Sequence, residues 1–157
     1  MNIISIDPAV SKKIAYAVFL EDRLDHYQLA DSVEDVQEAM LLLPRLDLVV
    51  TEDMYNGPNF NVVKQLCYAV GEIRSLAKRF NLDCRLIPPV IWKKHHGILI
   101  KKSGTNRAAY KRAKDLEDRL QVEIIKQYAG VEILQEDLRA AVLIGMCHIE
   151  QMRAGVA

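Results

Sequence analysis

The order of its β-type and helical segments is the feature of this sequence that most constrains its fold. Three β-type runs open the chain, at residues 2–6, 14–20 and 23–30, and the short turn at 21–23 predicts an antiparallel hairpin between the second and third. Helices and strands are predicted in turn after them, at 31–43, 48–51, 59–80, 83–88, 88–94, 107–129 and 136–153. Three strands followed by alternating helices and strands predict an α/β fold with a mixed sheet.

Length and composition place the chain among ordinary globular proteins. Its 157 residues predict one domain over 1–157, and 50% hydrophobic with 27% charged residues is a usual balance. No apolar run approaches the ~20 residues of a membrane span and no signal-peptide pattern opens the sequence, so we expect a cytoplasmic protein with no membrane partner. Three cysteines without C-x-x-C spacing lie in apolar segments, which predicts buried, reduced thiols at Cys67, Cys84 and Cys147.

Positive charge is concentrated in one short segment, although the net charge of the chain is zero. Residues 93–119 carry nine basic and three acidic residues, whereas residues 1–92 carry nine basic and thirteen acidic residues. A clustered excess of Lys and Arg is the electrostatic footprint of a phosphate-binding surface. An ordinary solvated helix face has the same composition, and charge alone does not separate the two interpretations.

Two of the predicted strands end in carboxylates. Asp7 follows the apolar run Ile3–Ile6, and Glu52 follows Leu48–Thr51, in strands that are plausible neighbours in one sheet. Two partly desolvated carboxylates side by side repel each other unless a cation lies between them. Oxygen ligands without a nearby His or Cys pattern favour Mg²⁺ or Mn²⁺ over zinc. Taken singly, each residue is better explained structurally, Asp7 as a cap before Pro8 and Glu52 as the end of a strand.

A metal site of this kind needs a third ligand, and Asp137 is the candidate. It lies in the segment QEDLRAAVLIGMCHIEQ, where an acidic pair precedes a strongly apolar helix. An Asp at the start of a helix is also a good N-cap, because it accepts backbone N–H groups and suits the helix dipole. Both interpretations of Asp137 stay open at this point.

Four segments resemble, in order, the motifs of RuvC-type Holliday-junction resolvases. IISIDPAVSKKIAYAVF is similar to the first motif, and VVTEDMYNGPNFNVVKQLCYAVGEI to the second, with Glu52, Tyr55 and Gly71 at the matching places. IPPVIWKKHHG resembles the segment before the mobile basic loop of that family, here residues 97–106, and EDLRAAVLIGMCH resembles its closing helix. The resemblance covers essentially the whole chain, which is short like the versions carried by bacteriophages.

The resemblance implies a ribonuclease-H-like fold, that is, a mixed five-stranded sheet flanked by helices. It implies that Asp7, Glu52 and Asp137 are catalytic residues that hold two Mg²⁺ ions at the scissile phosphate, where Mn²⁺ would substitute. Hydrolysis would leave a 5′-phosphate and a 3′-hydroxyl. Lys93 matches a lysine that contacts the phosphate, and would also be catalytic.

The resemblance also implies a DNA-binding surface and a homodimer. Tyr55 matches an aromatic residue that wedges against a base near the junction centre, although it would equally well pack a loop. Further DNA contacts are expected from basic residues of the charged segment, Lys93, Lys94, Lys101, Lys102, Arg107 and Lys111. Symmetric nicks across a four-way junction require two active sites, so a homodimer is expected, with the helix at 59–80 as its interface.

Two residues depart from the pattern of that family. Ala9 stands where a Gly usually follows Asp-Pro, which is a modest change. Ala140 stands at a metal-ligand position, where the last helix carries its second Asp, one turn after Asp137 on the same face. Three explanations remain open: a site that works with three carboxylates, a contribution from Glu136, or an engineered, inactivated variant.

The leading hypothesis is a structure-selective endonuclease that resolves Holliday or other branched DNA junctions by Mg²⁺-dependent hydrolysis, in recombination and repair in a bacterial host cell. The alternatives are a branched-DNA binding protein without turnover and a RuvC-like nuclease that processes RNA. His95, His96 and His148 are weaker candidates for assisting the attacking water, and they would otherwise contact phosphate or solvent.

Overall fold

The computed structural model describes residues 1–8, 13–54, 59–101 and 104–156. Within these ranges the chain forms five strands and five helices. In chain order they are β1 (Ile3–Asp7), β2 (Ile14–Leu20), β3 (Arg23–Ala30), α1 (Val33–Leu42), β4 (Leu48–Glu52), α2 (Phe60–Arg79), β5 (Asp83–Ile87), α3 (Pro89–His95), α4 (Arg107–Ala129) and α5 (Glu136–Arg153).

The five strands form one mixed sheet in the order β3-β2-β1-β4-β5. β1, β2 and β3 are paired antiparallel, whereas β1 pairs with β4, and β4 with β5, in parallel. The predicted hairpin is confirmed, and Glu21 and Asp22 at its turn both have positive φ angles, of 50° and 63°. Such angles match the twist of a two-residue hairpin turn. The predicted mixed five-stranded sheet is therefore present, with β1 at its centre.

One face of the sheet is covered by α5, which is buried along most of its length. Every residue from Ala141 to Ile149 is buried, as expected of a helix that is apolar on all sides. Gly145 permits this close approach, because a Cβ atom there would lie 2.3 Å from Cε2 of Phe19 and 3.0 Å from Cβ of Ser5. The sheet and α5 thus share one continuous core, which also contains Trp92.

A buried arginine on α5 holds α4 in place through hydrogen bonds. Arg139 is 4% exposed, and its guanidinium donates to Asp118 Oδ1 at 2.8 Å and to Gln121 Oε1 at 3.0 Å. It also donates to the backbone carbonyl groups of Ile133 and Leu134, before α5 begins. These bonds fix the rotation of α4 against α5, and therefore decide which residues of α4 face the first turn of α5.

The opposite face of the sheet is covered by α1 and α2, and α2 is only partly buried. Val70, Ile73, Leu76 and Ala77 are its buried residues. The first half of the predicted apolar side, Val62, Val63, Leu66 and Ala69, is only partly covered, and Tyr68 is 63% exposed.

The prediction that all three cysteines are buried is confirmed only for Cys147. Cys67 is exposed, because it lies on the uncovered side of α2, and Cys84 is partly exposed. Cys147 is buried as predicted, and burial raises the pKa of its thiol to about 11. Among the helices in the described residues, none combines the length and the apolar character needed to cross a membrane.

Candidate metal centre and nucleic-acid interface

The parallel pairing of β1 and β4 brings the two strand-end carboxylates to the same edge of the sheet. Ile6 lies opposite Thr51 in the register, so Asp7 and Glu52 are the next residues on the two strands. The Thr51 hydroxyl, which is buried, donates to the Ile6 carbonyl oxygen at 2.8 Å. This bond holds the strands together one residue before the carboxylates, and the predicted proximity of the two strands is confirmed.

Asp137 lies in the first turn of α5 but does not cap it. Gln135 is the N-cap, and its Oε1 accepts the Leu138 N–H at 2.7 Å. The Gln135 amide donates in addition to Asp137 Oδ2 at 3.0 Å. The N-cap explanation of Asp137 is therefore wrong, and its carboxylate is available to the space in front of the sheet.

These elements enclose a cavity of about 390 Å³ at the carboxyl edge of the sheet. It is lined by Asp7, Glu52, Pro89, Trp92, Lys93, Glu117, Gln121, Glu136, Asp137 and Ala140. Five carboxylates and one ammonium group therefore share this space. The structure brings together Asp7, Glu52, Asp137, Ala140 and Lys93, which are the predicted catalytic and metal-site residues.

Burial raises the pKa values of the two strand-end carboxyl groups, and repulsion by neighbouring carboxylates raises that of Asp7 further. Burial is the largest cause for Asp7, and the charges of Glu52, Asp137 and Glu136 raise its pKa further, well above the ordinary value. Burial also raises the pKa of Glu52, although the hydrogen bond from the Trp92 indole and the charge of Lys93 lower it in part. The anionic forms are therefore costly here without a cation.

The donor set of the cavity fits a hard divalent cation. Asp7, Glu52 and Asp137 offer carboxylate oxygens alone, which is the ligand type that Mg²⁺ and Mn²⁺ prefer. A cation among them would relieve the repulsion that raises the pKa of Asp7. These three residues could thus hold the metal expected from the sequence.

α3 supplies two groups to the cavity. The indole N–H of Trp92 donates to Glu52 Oε2 at 2.7 Å, and the Trp92 side chain is buried in the core. Lys93 is partly exposed, and its Nζ lies 3.3 Å from Glu117 Oε2. Trp92 therefore fixes the orientation of one predicted metal ligand, and Lys93 places a positive charge at the mouth of the cavity.

The remaining predicted DNA-binding residues lie outside the cavity or outside the described residues. Lys94, Lys101, Arg107 and Lys111 are exposed, on the end of α3, the following segment and the start of α4. Ile98 is fully buried and anchors the beginning of the segment predicted as a mobile loop. Three residues of the sequence prediction, Ala9, Tyr55 and Lys102, lie outside the described ranges.

The three histidines considered for assisting water do not line the cavity. His95 contacts Glu150 through Nε2 at 2.6 Å, and His96 contacts the Leu143 carbonyl oxygen through Nε2 at 2.8 Å. His148 is buried on α5, eleven residues after Asp137, which is about 16 Å along a helix. The structure therefore places them apart from the predicted metal ligands.

Trp92, Glu117 and Gln121 are cavity residues that the sequence analysis did not single out. The only Trp of the chain, between a double proline and two lysines, is a signal that could have marked α3. Glu117 and Gln121 are spaced four residues apart, so they share one face of α4. That spacing does not indicate which face meets α5, and sequence alone offers no stronger signal for them.

Comparison with known proteins identifies the fold. No protein-family model matches the sequence, and no curated protein matches it either. Among solved structures, T. thermophilus RuvC in complex with Holliday junction substrate matches with a TM-score of 0.74 and 16% identity, over 100% of this chain and 98% of that chain. A second Thermus thermophilus RuvC structure matches with a TM-score of 0.71 and 17% identity, at the same coverage. The chain therefore has the ribonuclease-H-like fold of RuvC over its whole length, as the resemblance predicted.

Proposed function

We propose that this protein is a structure-selective endonuclease that resolves four-way (Holliday) junctions or other branched DNA by metal-dependent phosphodiester hydrolysis. The observation that carries the proposal is the convergence of Asp7, Glu52 and Asp137 on one cavity in a chain with the RuvC fold. One solved structure with this fold is that of RuvC in complex with Holliday junction substrate. The 157 residues would act as a single nuclease domain, in recombination and repair in the cytoplasm of a bacterial host.

Asp7, Glu52 and Asp137 would hold Mg²⁺, or Mn²⁺ in its place. When bound, such an ion withdraws electron density from the phosphoryl group and neutralises the charge that develops on it. The Trp92 indole keeps Glu52 in one orientation, which lowers the cost of ordering that side chain for the ion. Lys93 would contact the scissile phosphate as a point charge.

We infer that Glu117 supplies the carboxylate that is missing at Ala140. Glu117 lines the same cavity, its side chain is 20% exposed, and its contact with Lys93 is long, at 3.3 Å. Glu136 is 58% exposed, and its pKa is lowered chiefly by its hydrogen bond from Lys114, 2.6 Å away. Glu117 would therefore lose a weaker contact than Glu136 when it binds a cation. Breaking its contact with Lys93 would also leave that lysine free to bind a phosphate.

Counting bound Mn²⁺ by electron paramagnetic resonance separates these two glutamates without a cleavage assay. We expect two ions in the parent chain, one in Glu117→Gln, and two in Glu136→Gln. In Glu117→Gln combined with Ala140→Asp, the aspartate should restore the second ion. Loss of an ion from Glu136→Gln but not from Glu117→Gln would contradict the inference.

Exposed basic residues on α3, on the segment after it and on the start of α4 would bind the DNA backbone. They are Lys94, Lys101, Arg107 and Lys111, which follow Lys93 in the chain. Lys102 and Tyr55, outside the described residues, would add a phosphate contact and a wedge at the junction centre. Affinity from such contacts is independent of sequence and falls with salt, so junction choice would come from DNA shape.

A homodimer through α2 would place two active sites on one junction. On this helix Tyr68 is exposed, and the apolar residues Val62, Val63, Leu66 and Ala69 are only partly covered. A specific dimer needs roughly 800 Å² of buried surface per partner. A 20-residue helix that leaves such side chains partly or fully exposed is well suited to the centre of such an interface.

Cleavage of a synthetic four-way junction tests the function directly. We would assay this chain and its Ala140→Asp variant side by side, in Mg²⁺ and in Mn²⁺, with an RNA hairpin as the comparison substrate. Cleavage by both chains means that the parent site suffices, as Glu117 would allow. Cleavage by the variant alone means that the parent chain is a disabled nuclease.

A protein that binds branched DNA without turnover is the second candidate, and Ala140 is the observation that favours it. In that case both chains bind the junction and neither cuts it with any metal. Preferential cleavage of the RNA hairpin would instead indicate an RNA-processing nuclease with the same fold.

A further inference from the structure

A second group of metal-ligating side chains lies where the end of α3 meets α5, outside the carboxylate cavity. His95 is the last residue of α3, His96 follows it, and Glu150 is near the end of α5. One ligand atom from each of the three side chains lies within 4.8 Å of the other two. Ligand atoms around a tetrahedral ion are roughly 3.4 Å apart at a Zn–N distance of about 2.1 Å. Small side-chain rotations are therefore enough to close this group around an ion.

Contact between His95 and Glu150 already joins two of the three ligands. His95 Nε2 lies 2.6 Å from Glu150 Oε2, and the two side chains are 27% and 37% exposed. This exposure leaves a path for an ion from solvent. It also leaves room for a water molecule as an additional ligand.

The surroundings of His96 prepare it as a ligand. A carbonyl oxygen only accepts hydrogen bonds, so the 2.8 Å contact between His96 Nε2 and the Leu143 carbonyl places the proton on Nε2. Nδ1 then carries the free electron pair. Histidine ligands of metals commonly donate their other ring N–H to a carbonyl or carboxylate in this way, which fixes the tautomer and the ring orientation.

We propose that His95, His96 and Glu150 form a binding site for one divalent transition-metal ion of the Zn²⁺ type. Imidazole nitrogens favour Zn²⁺, Co²⁺ and Ni²⁺ over Mg²⁺, in contrast to the all-oxygen cavity. Three protein ligands with water in the fourth position give a usual coordination for zinc. The proposal does not depend on the nuclease function.

An ion at this site would connect α3 to α5 through side-chain bonds. The preceding turn of α3 carries Trp92 and Lys93, which enter the carboxylate cavity. Residues 97–101, where the basic segment continues, begin directly after His96. The ion would therefore stabilise the position of α3 and raise the melting temperature of the protein.

Zn²⁺ titration by calorimetry in excess Mg²⁺ tests the proposal, because Mg²⁺ occupies hard oxygen sites. We expect the parent chain to take up one Zn²⁺, and His95→Ala, His96→Ala and Glu150→Gln each to weaken the binding at least about tenfold. Co²⁺ in the same titration should give the intense visible absorption of a tetrahedral site, and each of the three variants should lose it.

His26→Ala is the matched control. His26 is also a partly exposed histidine paired with a carboxylate, with Nδ1 2.8 Å from Asp25 Oδ2. Among the described residues, no third metal-ligating side chain joins this pair. We expect it to bind Zn²⁺ as the parent chain does. Melting curves in EDTA verify that all variants fold. Absence of Zn²⁺ uptake by the folded parent chain, or equal weakening by His26→Ala, would overturn the proposal and would show that His95 and Glu150 are only a hydrogen-bonded pair.

Discussion

α5 and α2 are helices of similar length on opposite faces of one sheet, and they are buried to very different degrees. Ten of the 18 residues of α5 are buried, against four of the 20 residues of α2. α5 packs on the sheet through Gly145 and against α4 through Arg139. α2 keeps apolar side chains such as Tyr68 at the surface. Contacts within one chain therefore bury most of α5 but leave much of α2 exposed.

The difference separates two requirements of the proposed function. A metal site needs ligands whose positions are fixed within a fraction of an ångström. α5 is held in a closed core, so it can fix the position of Asp137 in this way. A junction with two cleavage sites needs a second copy of the protein, and an uncovered helix can bind one. Substitutions in α5 should therefore act within one chain, and substitutions in α2 should act between chains.

The largest effect is expected from the carboxylate at the start of α5. In whichever chain cuts the junction, parent or Ala140→Asp, Asp137→Asn should lower the cleavage rate at least about 100-fold, because a metal ion contributes several kcal/mol to such reactions. Glu72→Gln removes an exposed carboxylate from α2 and should leave the rate within about twofold. Rates are measured in single-turnover experiments, and equal losses in the two variants would contradict the distinction between the helices.

The next largest effect, on folding stability, is expected from Gly145 in α5, and Gly71 in α2 is the comparison. Gly145→Ala should reduce the free energy of unfolding by about 3 kcal/mol, because its new methyl group overlaps the Phe19 ring and overpacks the core. Gly71→Ala in α2 should be neutral or stabilising by up to about 1 kcal/mol, since a Cβ there has nothing within 4 Å and alanine is the better helix former. Urea denaturation measures both, and a tolerated Gly145→Ala would mean that α5 packs less closely than it does here.

Sequence patterns predicted the features that depend on neighbouring strands, and missed those that depend on how helices rotate. Asp7 and Glu52 were recognisable because carboxylates at the ends of apolar strands meet wherever the strands pair in parallel. The approach of Glu117 to the cavity depends on the rotation of α4, which the buried Arg139 fixes through contacts far apart in sequence. The exposure of Cys67 was missed for a related reason, since the apolar composition of its segment does not show which side of α2 the sheet covers.

A smaller effect, on association, is expected from the uncovered face of α2. Tyr68→Glu introduces a charge at a site that is 63% exposed in the single chain, so the stability of the monomer should change by less than about 0.5 kcal/mol. In a dimer through α2 the same charge would be desolvated, and we expect at least about tenfold weaker dimerisation. Leu42→Glu, at an 88% exposed position that ends α1, is the matched control and should leave the dimer unchanged. Sedimentation over a concentration series measures this, and a parent chain that stays monomeric would contradict the dimer.

The smallest effect is a pH dependence of the metal-free protein, which arises chiefly because Asp7 is buried and secondarily because Glu52, Asp137 and Glu136 lie near it. The pKa of Asp7 is raised in the folded chain, by burial first and by neighbouring carboxylates second, so the folded state holds its proton more tightly than the unfolded state does. Stability from this group is therefore greatest below the ordinary pKa of 3.8 and declines as the pH rises through the raised pKa. Asp7→Asn removes this titration.

In EDTA, Asp7→Asn should accordingly unfold at higher urea concentration than the parent chain at pH 7.5, and this advantage should shrink as the pH is lowered towards 4. Mg²⁺ should also shrink it at pH 7.5, because an ion that binds the charged carboxylates stabilises only the folded parent chain. Glu72→Gln, in the open surroundings of α2, should show neither trend. A stability difference between Asp7→Asn and the parent that is independent of both pH and Mg²⁺ would mean that the carboxylates at the start of α5 and at the ends of the strands do not repel one another. It would remove the electrostatic reason for a metal between them.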